Sequence, residues 1–254
     1  LVVCAYAMCQ GGLTSARQAL LAGLVAPADR VTVRAHLQST LNAGLAIGAG
    51  AGGLALSVDT APAYLTVFAV DAVSFLGAAV VLGRLPSVPV VVGGPAPARL
   101  AVLRDRPYAV LTLLNAIMYL NMPVLSLGLP LWIVERTSAP PVLAALVLVL
   151  NMVTVVLFQV RVARMVSDLR SAARVAGLAG WVLLAACVVY GVSGGALGPW
   201  AAAGVLLVAA AVQVFGEMMH GAASWEVGFA LAPADRQGQY QGFYGMAPQI
   251  ARML

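Results

Sequence analysis

One face of the last long apolar segment carries the residues best suited to move protons. Polar side chains recur there at steps of four, three and four residues: Gln213, Glu217, His220 and Ser224. That spacing places them on one side of a helix. A carboxylate with a histidine one turn away can hold and pass a proton at physiological pH. The pattern therefore predicts either a proton-coupling site or a polar seam between packed helices.

Other charged residues also lie inside apolar segments, where an ionisable group is costly unless it faces protein or water. Asp71 lies near the middle of its segment and is predicted either to titrate or to hydrogen-bond with Ser74 or Arg17. Arg17 is predicted to neutralise a carboxylate or an anionic substrate, unless its side chain extends to the cytoplasmic interface. Glu226 lies closer to the end of its segment and is interpreted as an interfacial residue.

Side-chain amides form a second group of predicted binding residues. Asn115 and Asn121 flank Tyr119 in one apolar segment, and Asn151 lies in the next. Together with Gln213, these amides are predicted to line a cavity that holds a substrate.

The sequence offers no set of residues for an enzyme, a metal or a cofactor. Zinc-protease, serine-hydrolase and nucleotide-binding motifs are all missing from it. The three cysteines lie in apolar segments without metal-ligand spacing, so they are interpreted as packing residues: Cys4, Cys9 and Cys187.

Composition identifies the elements that must position these side chains. Of 254 residues, 62% are hydrophobic and only 9% are charged, and the mean hydropathy is +0.96. Such a chain cannot form a water-facing surface, so we expect an all-α polytopic membrane protein in contact with the lipid bilayer. The net charge of +5 does not indicate nucleic-acid binding, because the arginines cluster between apolar segments.

Seven segments are long and apolar enough to span a bilayer, followed by an eighth that is cut short at Leu254. They cover about 1–26, 41–58, 64–82, 109–134, 142–160, 175–192 and 200–231. Eleven of the fourteen arginines fall in alternate connections, whereas the other connections contain only Arg136. This bias predicts that the basic connections are cytoplasmic and that the protein is multi-pass in the cell (plasma) membrane.

A stretch rich in proline and arginine divides the chain into two unequal parts. Residues 85–108 are predicted to be a cytoplasmic linker between a three-span part, 1–84, and a four-span part, 109–254. Pro123 and Pro130 are predicted to kink the first span of the second part.

Five glycines stand within ten residues of the second span: Gly44, Gly48, Gly50, Gly52 and Gly53. Three of them lie four residues apart and form a smooth groove on one helix face. The groove is interpreted either as an ordinary packing seam or as something more specific. Its order of residues resembles the motif G-x-x-x-G-P-x-x-G-G, found on the fifth helix of drug/proton antiporters of the major facilitator superfamily, with Ala49 in place of the proline.

The resemblance extends to other parts of the chain. Gln10-Gly11 is similar to the end of the family's R-x-x-Q-G pattern on the fourth helix, with Ala7 at the arginine position. One cytoplasmic connection resembles the motif G-x-x-x-D-R-x-G-R in a degenerate form, carried by Asp168, Arg164, Arg170 and Arg174. The stretch 238–242 is similar to the end of the tenth helix in actinobacterial-type exporters. On this register the chain holds helices four to the start of eleven, and its missing helices are expected partners.

The resemblance implies a secondary active transporter that exports a small amphipathic compound against protons by alternating access. Glu217 and Asp71 are then the predicted proton carriers, with His220 beside Glu217. The alternative is a truncated, non-transporting membrane fragment or partner subunit derived from such a transporter.

Overall fold

Every regular element in the described part of the chain is helical, as the all-α prediction requires. The computed structural model describes residues 20–21, 23–84, 101–195, 197–233 and 236–253. Within them, six helices are long and apolar enough to cross a membrane. They match six of the seven predicted spans, while the first, at about 1–26, lies almost wholly outside the described residues together with Arg17.

The helices are numbered here in chain order. After a single 3₁₀ turn at Pro27–Asp29, they are α1 Arg30–Val58, α2 Ala61–Gly83, α3 Arg106–Arg136, α4 Val142–Ala163, α5 Leu169–Ser193, α6 Pro199–Ala230, α7 Gln237–Tyr244 and α8 Ala247–Met253. One further turn, Ala101–Arg104, precedes α3. The predicted eighth segment is thus two short helices.

Two predicted boundaries were wrong, both beside arginines. The polar stretch before the second span is already helical, because α1 begins at Arg30. Arg30 and Arg34 lie over the rings of Phe229 and Trp225, at 5.6 and 5.7 Å, so α1 extends past its apolar part along α6. The predicted basic loop at 161–174 shrinks to the five residues between α4 and α5.

Helix α6 is the central element of the bundle. It packs along most of α5 and also against α4, while α1 packs against α4. Alanines on its inner faces, including Ala202, Ala209 and Ala222, are fully buried and allow the neighbouring helices to approach closely. A functional group on the inner side of α6 therefore meets several other helices.

The buried apolar residues form two clusters, one toward each end of the bundle. The first includes Ala35 of α1, Val155 of α4 and Met218 of α6. The second includes Ile133 of α3 and Leu206 of α6. Helices α4 and α6 contribute to both clusters, so polar residues at their midpoints lie where the two clusters meet.

Helix α3 changes its hydrogen-bond pattern where kinking was predicted. Between Pro123 and Pro130, residues Val124–Gly128 form a π turn, after an α-helical Arg106–Tyr119 and before Leu129–Arg136. Pro130 lacks the N–H that would continue the regular ladder, and a π turn is a common response to such an interruption. The N-terminal half of α3 packs on the first cluster and the C-terminal half on the second.

Candidate functional site

The polar stripe predicted on α6 lies on the inner side of that helix. Gln213, His220 and Ser224 are each at least nine-tenths buried, and Glu217 is partly buried. The helix tolerates these residues because each contacts a polar group on another element or on its own next turn. The stripe contacts α4 through Glu217, α3 through His220 and α7 through Ser224, so these three residues have separate surroundings.

Glu217 is held by two neutral amides. Asn151 of α4 donates Nδ2–H to Oε2 of Glu217 at 3.0 Å, and Gln213 donates Nε2–H to Oε1 at 2.9 Å. Asn151 follows Val147 of the second apolar cluster and precedes Val155 of the first, which places this pair where the clusters meet. The remaining amide oxygen, Oε1 of Gln213, has no hydrogen-bond partner among the described residues.

His220 faces a different helix. Its Nε2 lies 3.0 Å from Oδ1 of Asn115 on α3, and its ring meets the Tyr119 ring edge-on at 4.7 Å. With Oδ1 as the acceptor, Nε2 carries the proton. Among the described contacts, no hydrogen bond joins His220 to Glu217, so the structure does not bring together the predicted carboxylate–histidine pair.

Tyrosines that sequence reasoning missed connect the ends of several helices on the side of the first apolar cluster. Ser224 donates to the hydroxyl of Tyr244 at 3.4 Å. The Tyr108 hydroxyl donates toward the backbone oxygens of Gly228 and Tyr240, at 3.4 and 3.3 Å. The only available signal was the spacing of four between Tyr240 and Tyr244, which places both on one face of a helix.

A cavity of about 80 Å³ opens beside this stripe, where α1, α3, α6 and the α7–α8 region meet. Asn115 joins the two features, since it hydrogen-bonds His220 and also lines the cavity. Arg34, Ser224 and Tyr244 line it too. Two of the predicted binding amides, Asn115 and Asn151, therefore contact the stripe. Asn121 lies outside the cavity lining, and its Nδ2 has no partner among the described residues.

Asp71 is not brought to this site. Its helix, α2, has no residue buried by the described part of the chain, and Asp71 itself is exposed. Ser74, one of its predicted partners, donates to the backbone oxygen of Asp71 at 2.7 Å and not to the carboxylate. The other predicted partner, Arg17, lies outside the described residues.

The glycine face of α1 also lies apart from the stripe. A Cβ atom at Gly44, Gly48, Gly50, Gly52 or Gly53 would meet no described atom within 4 Å. Helix α1 instead packs through its N-terminal half, where Ala35 is fully buried and Ser39 donates to the backbone oxygen of Val155 at 3.4 Å. The packing role of the glycine motif stays a prediction.

Asp168 has a clear local function at the start of α5. Its carboxylate accepts the backbone N–H of Ser171 at 2.7 Å, and Ser171 Oγ accepts the N–H of Asp168 at 3.0 Å, a reciprocal capping box. The hydrogen bond from the Ser171 backbone lowers the pKa of the Asp168 carboxyl below its usual value. Arg164, Arg170 and Arg174 are exposed around this turn.

Comparison with known proteins gives one match. The model of the Major Facilitator Superfamily matches residues 1–254. No curated protein and no solved structure matches the chain significantly. Within the described ranges, no three histidine, cysteine or carboxylate side chains come together as metal ligands.

Proposed function

The chain belongs to the Major Facilitator Superfamily and is therefore a multi-pass secondary transporter of small molecules, and we propose that it exports a small amphipathic compound in exchange for protons. In this proposal the transporter acts in the plasma membrane, and Glu217 is the residue that binds and releases the proton. The alternative of a non-transporting remnant is not favoured by a match of this kind.

The observation that carries the proposal is the environment of Glu217. Its carboxylate lies near the middle of a membrane-spanning helix and accepts hydrogen bonds from two amides that carry no charge. An ionisable group at that depth is retained at a cost and marks proton or substrate pathways. Neutral partners leave the carboxylate able to exist in either protonation state, whereas a paired arginine would hold it ionised.

Protonation of Glu217 would change its contacts in a defined way. A carboxylic acid must donate its O–H, and the unpartnered Oε1 of Gln213 becomes the acceptor once the Gln213 amide turns over. The bond from Asn151 then runs to a neutral group and is weaker, because hydrogen bonds to ionised acceptors are roughly twice as strong. Proton loading thus loosens the contact between α4 and α6.

Loosening that contact affects both halves of the chain, since α4 also packs against α1. Transporters of this kind alternate between two states as one group of helices rocks against another around a central site. In this proposal the α4–α6 hydrogen bond links the protonation state of Glu217 to the packing of α1 against α4.

The test is Glu217→Gln in the full chain, reconstituted into liposomes with an imposed pH gradient. Efflux of a panel of small amphipathic dyes, cationic and anionic, is measured together with the internal pH. We expect Glu217→Gln to abolish gradient-driven efflux while dye exchange at equilibrium continues, because a glutamine mimics the protonated residue permanently. Glu226→Gln, on the same helix nearer its end, is the matched control and should keep its coupling. Undiminished gradient-driven efflux in Glu217→Gln would remove Glu217 from the mechanism.

A further inference from the structure

The cavity where α1, α3, α6 and the α7–α8 region meet combines aromatic walls with two uncharged hydrogen-bond donors. Four aromatic side chains contribute to its described lining: Tyr119, Trp225, Phe229 and Tyr244. Gln249 also lines the cavity and is exposed, so the cavity opens to the surface of the described part of the protein. A molecule with an aromatic body can therefore enter there and pack against these rings.

Asn115 supplies the first donor, which is buried and lacks an acceptor. The residue is only 6% exposed, and its Oδ1 lies 3.0 Å from Nε2 of His220. That contact fixes the orientation of the side-chain amide, and Nδ2 has no hydrogen-bond partner among the described residues. Buried N–H groups are nearly always paired in folded proteins, so we expect a bound molecule to supply the acceptor.

Tyr244 supplies the second donor from α7. Its hydroxyl oxygen accepts a hydrogen bond from Oγ of Ser224 at 3.4 Å, and its own O–H has no acceptor among the described contacts. Gly228 permits this position of the ring, because a Cβ atom there would lie 2.9 Å from Cδ1 of Tyr244. The ring thus packs directly on the backbone of α6, which holds the hydroxyl beside the cavity.

A carbonyl oxygen attached to an aromatic ring matches this pair of donors. Such an oxygen has two lone pairs near the plane of the carbonyl group, so it accepts two hydrogen bonds at once. The amide N–H and the phenol O–H carry no charge, so they suit an acceptor that is also neutral. The volume of about 80 Å³ is well below the roughly 300–1,000 Å³ of a pocket that encloses a whole drug-sized ligand. It suits the carbonyl group and the adjacent part of one ring.

We propose that this cavity binds neutral aromatic carbonyl compounds, whose carbonyl oxygen accepts hydrogen bonds from Asn115 and Tyr244, and that such compounds are substrates of the transporter. The second clause rests on the proposed function, whereas the binding site does not. Arg34 also lines the cavity, with its guanidinium carbon 5.7 Å from the centre of the Trp225 ring, and a neutral ligand needs no bond from it.

The experiment compares two probes of nearly equal shape, 2-acetylnaphthalene and 2-ethylnaphthalene, which differ only in the carbonyl oxygen. Binding to the purified full chain in lipid nanodiscs is measured by equilibrium dialysis, and uptake by empty nanodiscs of the same lipid is subtracted. We expect the ketone to bind at least about tenfold more tightly than the hydrocarbon, because only the ketone pairs with the two donors.

The decisive variant is Asn115→Asp, which keeps the shape and the oxygen toward His220 but replaces the donor by an oxygen. The affinity for the ketone should fall at least about tenfold, while binding of the hydrocarbon changes little. Asn121→Asp is the matched control, since Asn121 lies on the same helix, also has an Nδ2 without a partner among the described residues, and stands outside the cavity lining. This control should bind the ketone as the unmodified chain does.

A second matched pair covers the case in which Asn115→Asp does not fold. Tyr244→Phe removes only the hydroxyl and should lower the affinity for the ketone about threefold or more, with little change for the hydrocarbon. Tyr108→Phe is its control, because the Tyr108 hydroxyl donates toward backbone oxygens and lies outside the cavity lining. It should leave the preference for the ketone unchanged.

Three results would overturn the proposed site. Equal affinity of the two probes for the unmodified chain would mean that only water meets the Asn115 donor. Tighter binding of 2-naphthoate than of the ketone would exclude a neutral ligand class, and equal losses within each matched pair would exclude the two named donors. Binding of the ketone without its proton-driven efflux would refute the coupling and leave the site standing. Proton-driven dye efflux without a preference for the ketone would do the reverse.

Discussion

Helices α2 and α6 are both apolar enough to cross a membrane, yet they relate to the rest of the protein in opposite ways. Over its most apolar stretch, α6 is 56% buried by the described residues, whereas α2 is 0% buried. Each carries a carboxylate near its middle, and only that of α6 is hydrogen-bonded to a second helix. Hydropathy therefore predicts that a helix enters the bilayer, and the contacts of its polar residues decide whether it forms part of a site.

Glycines show the same contrast between α1 and α6. A Cβ atom at Gly48 would meet no described atom within 4 Å, whereas one at Gly216 would lie 2.8 Å from Cγ of Leu183 and 3.2 Å from Cγ1 of Val182. Gly216 lies at the seam between α6 and α5, in no motif that sequence reasoning singled out. A glycine that the described packing requires can thus lie outside any recognised motif.

The largest expected effect in this comparison comes from Gly216→Val. The new side chain overlaps Leu183 and Val182, and overpacking of this kind typically costs about 1–3 kcal/mol of stability. Gly48→Val is the matched control and should cost less than about 0.5 kcal/mol on the described contacts. Thermal unfolding of the purified protein in detergent measures both. Equal destabilisation of the two variants would contradict this difference between Gly216 and Gly48, and it would show that the glycine face of α1 is packed against another part of the protein.

A smaller effect is expected from the tyrosines. Tyr108→Phe removes a buried hydroxyl that bonds toward the backbone of α6 and α7, which should lower stability by about 1 kcal/mol. The Tyr64 hydroxyl donates to Asp59 at 2.9 Å on an exposed surface at the start of α2, so Tyr64→Phe should change stability little. The same unfolding assay compares them, and a Tyr64→Phe loss as large as that of Tyr108→Phe would contradict the exposed position of α2.

The smallest effect is expected at the helix N-termini, and it should depend on pH. Asp168 caps α5 with its side chain, whereas Thr60 makes no side-chain capping bond at α2. Because the folded-state pKa of Asp168 is lowered, its stabilisation is complete above the unfolded-state pKa and is lost as the pH falls through the folded-state pKa. Asp168→Ala should therefore lower the melting temperature slightly at neutral pH.

That difference should disappear in acid, where the carboxyl of the unmodified protein is protonated. Thr60→Ala should leave the melting temperature unchanged at every pH. A difference for Asp168→Ala that persists below the folded-state pKa would show that the carboxylate is not the stabilising group.

Sequence alone located the six spans that lie within the described residues, because lipid requires long apolar segments. It failed where a charged residue found a partner far along the chain. Arg30 and Arg34 were assigned to a connection, although stacking on Phe229 and Trp225 keeps them within α1. Those aromatic partners lie nearly two hundred residues away, and no local pattern contains them.

The site was only partly predictable from the sequence, because its contacts also join residues that lie far apart along the chain. The spacing of Gln213, Glu217 and His220 correctly placed them on one face of a helix, since periodicity is a property of that helix alone. It gave no information on which helices that face would meet. Glu217 is hydrogen-bonded to Asn151 of α4, whereas His220 is hydrogen-bonded to Asn115 of α3, so the two residues have different environments. That difference depends on how α3 and α4 pack against α6.

The π turn in α3 has a consequence for how this helix tolerates changes in length. Its hydrogen bonds join residues five apart where an α-helix joins residues four apart, so the turn holds one extra residue. Deleting one residue between Pro123 and Pro130, with the turn closing as a regular α ladder, would leave the faces of the two flanking segments nearly unchanged, because the extra residue of a π turn does not advance the later residues around the axis. Leu129 and Ile133 would then stay in the second apolar cluster, which buries both. A deletion in the regular ladder of Arg106–Tyr119 would instead rotate everything after it by about 100° and take both residues out of that cluster.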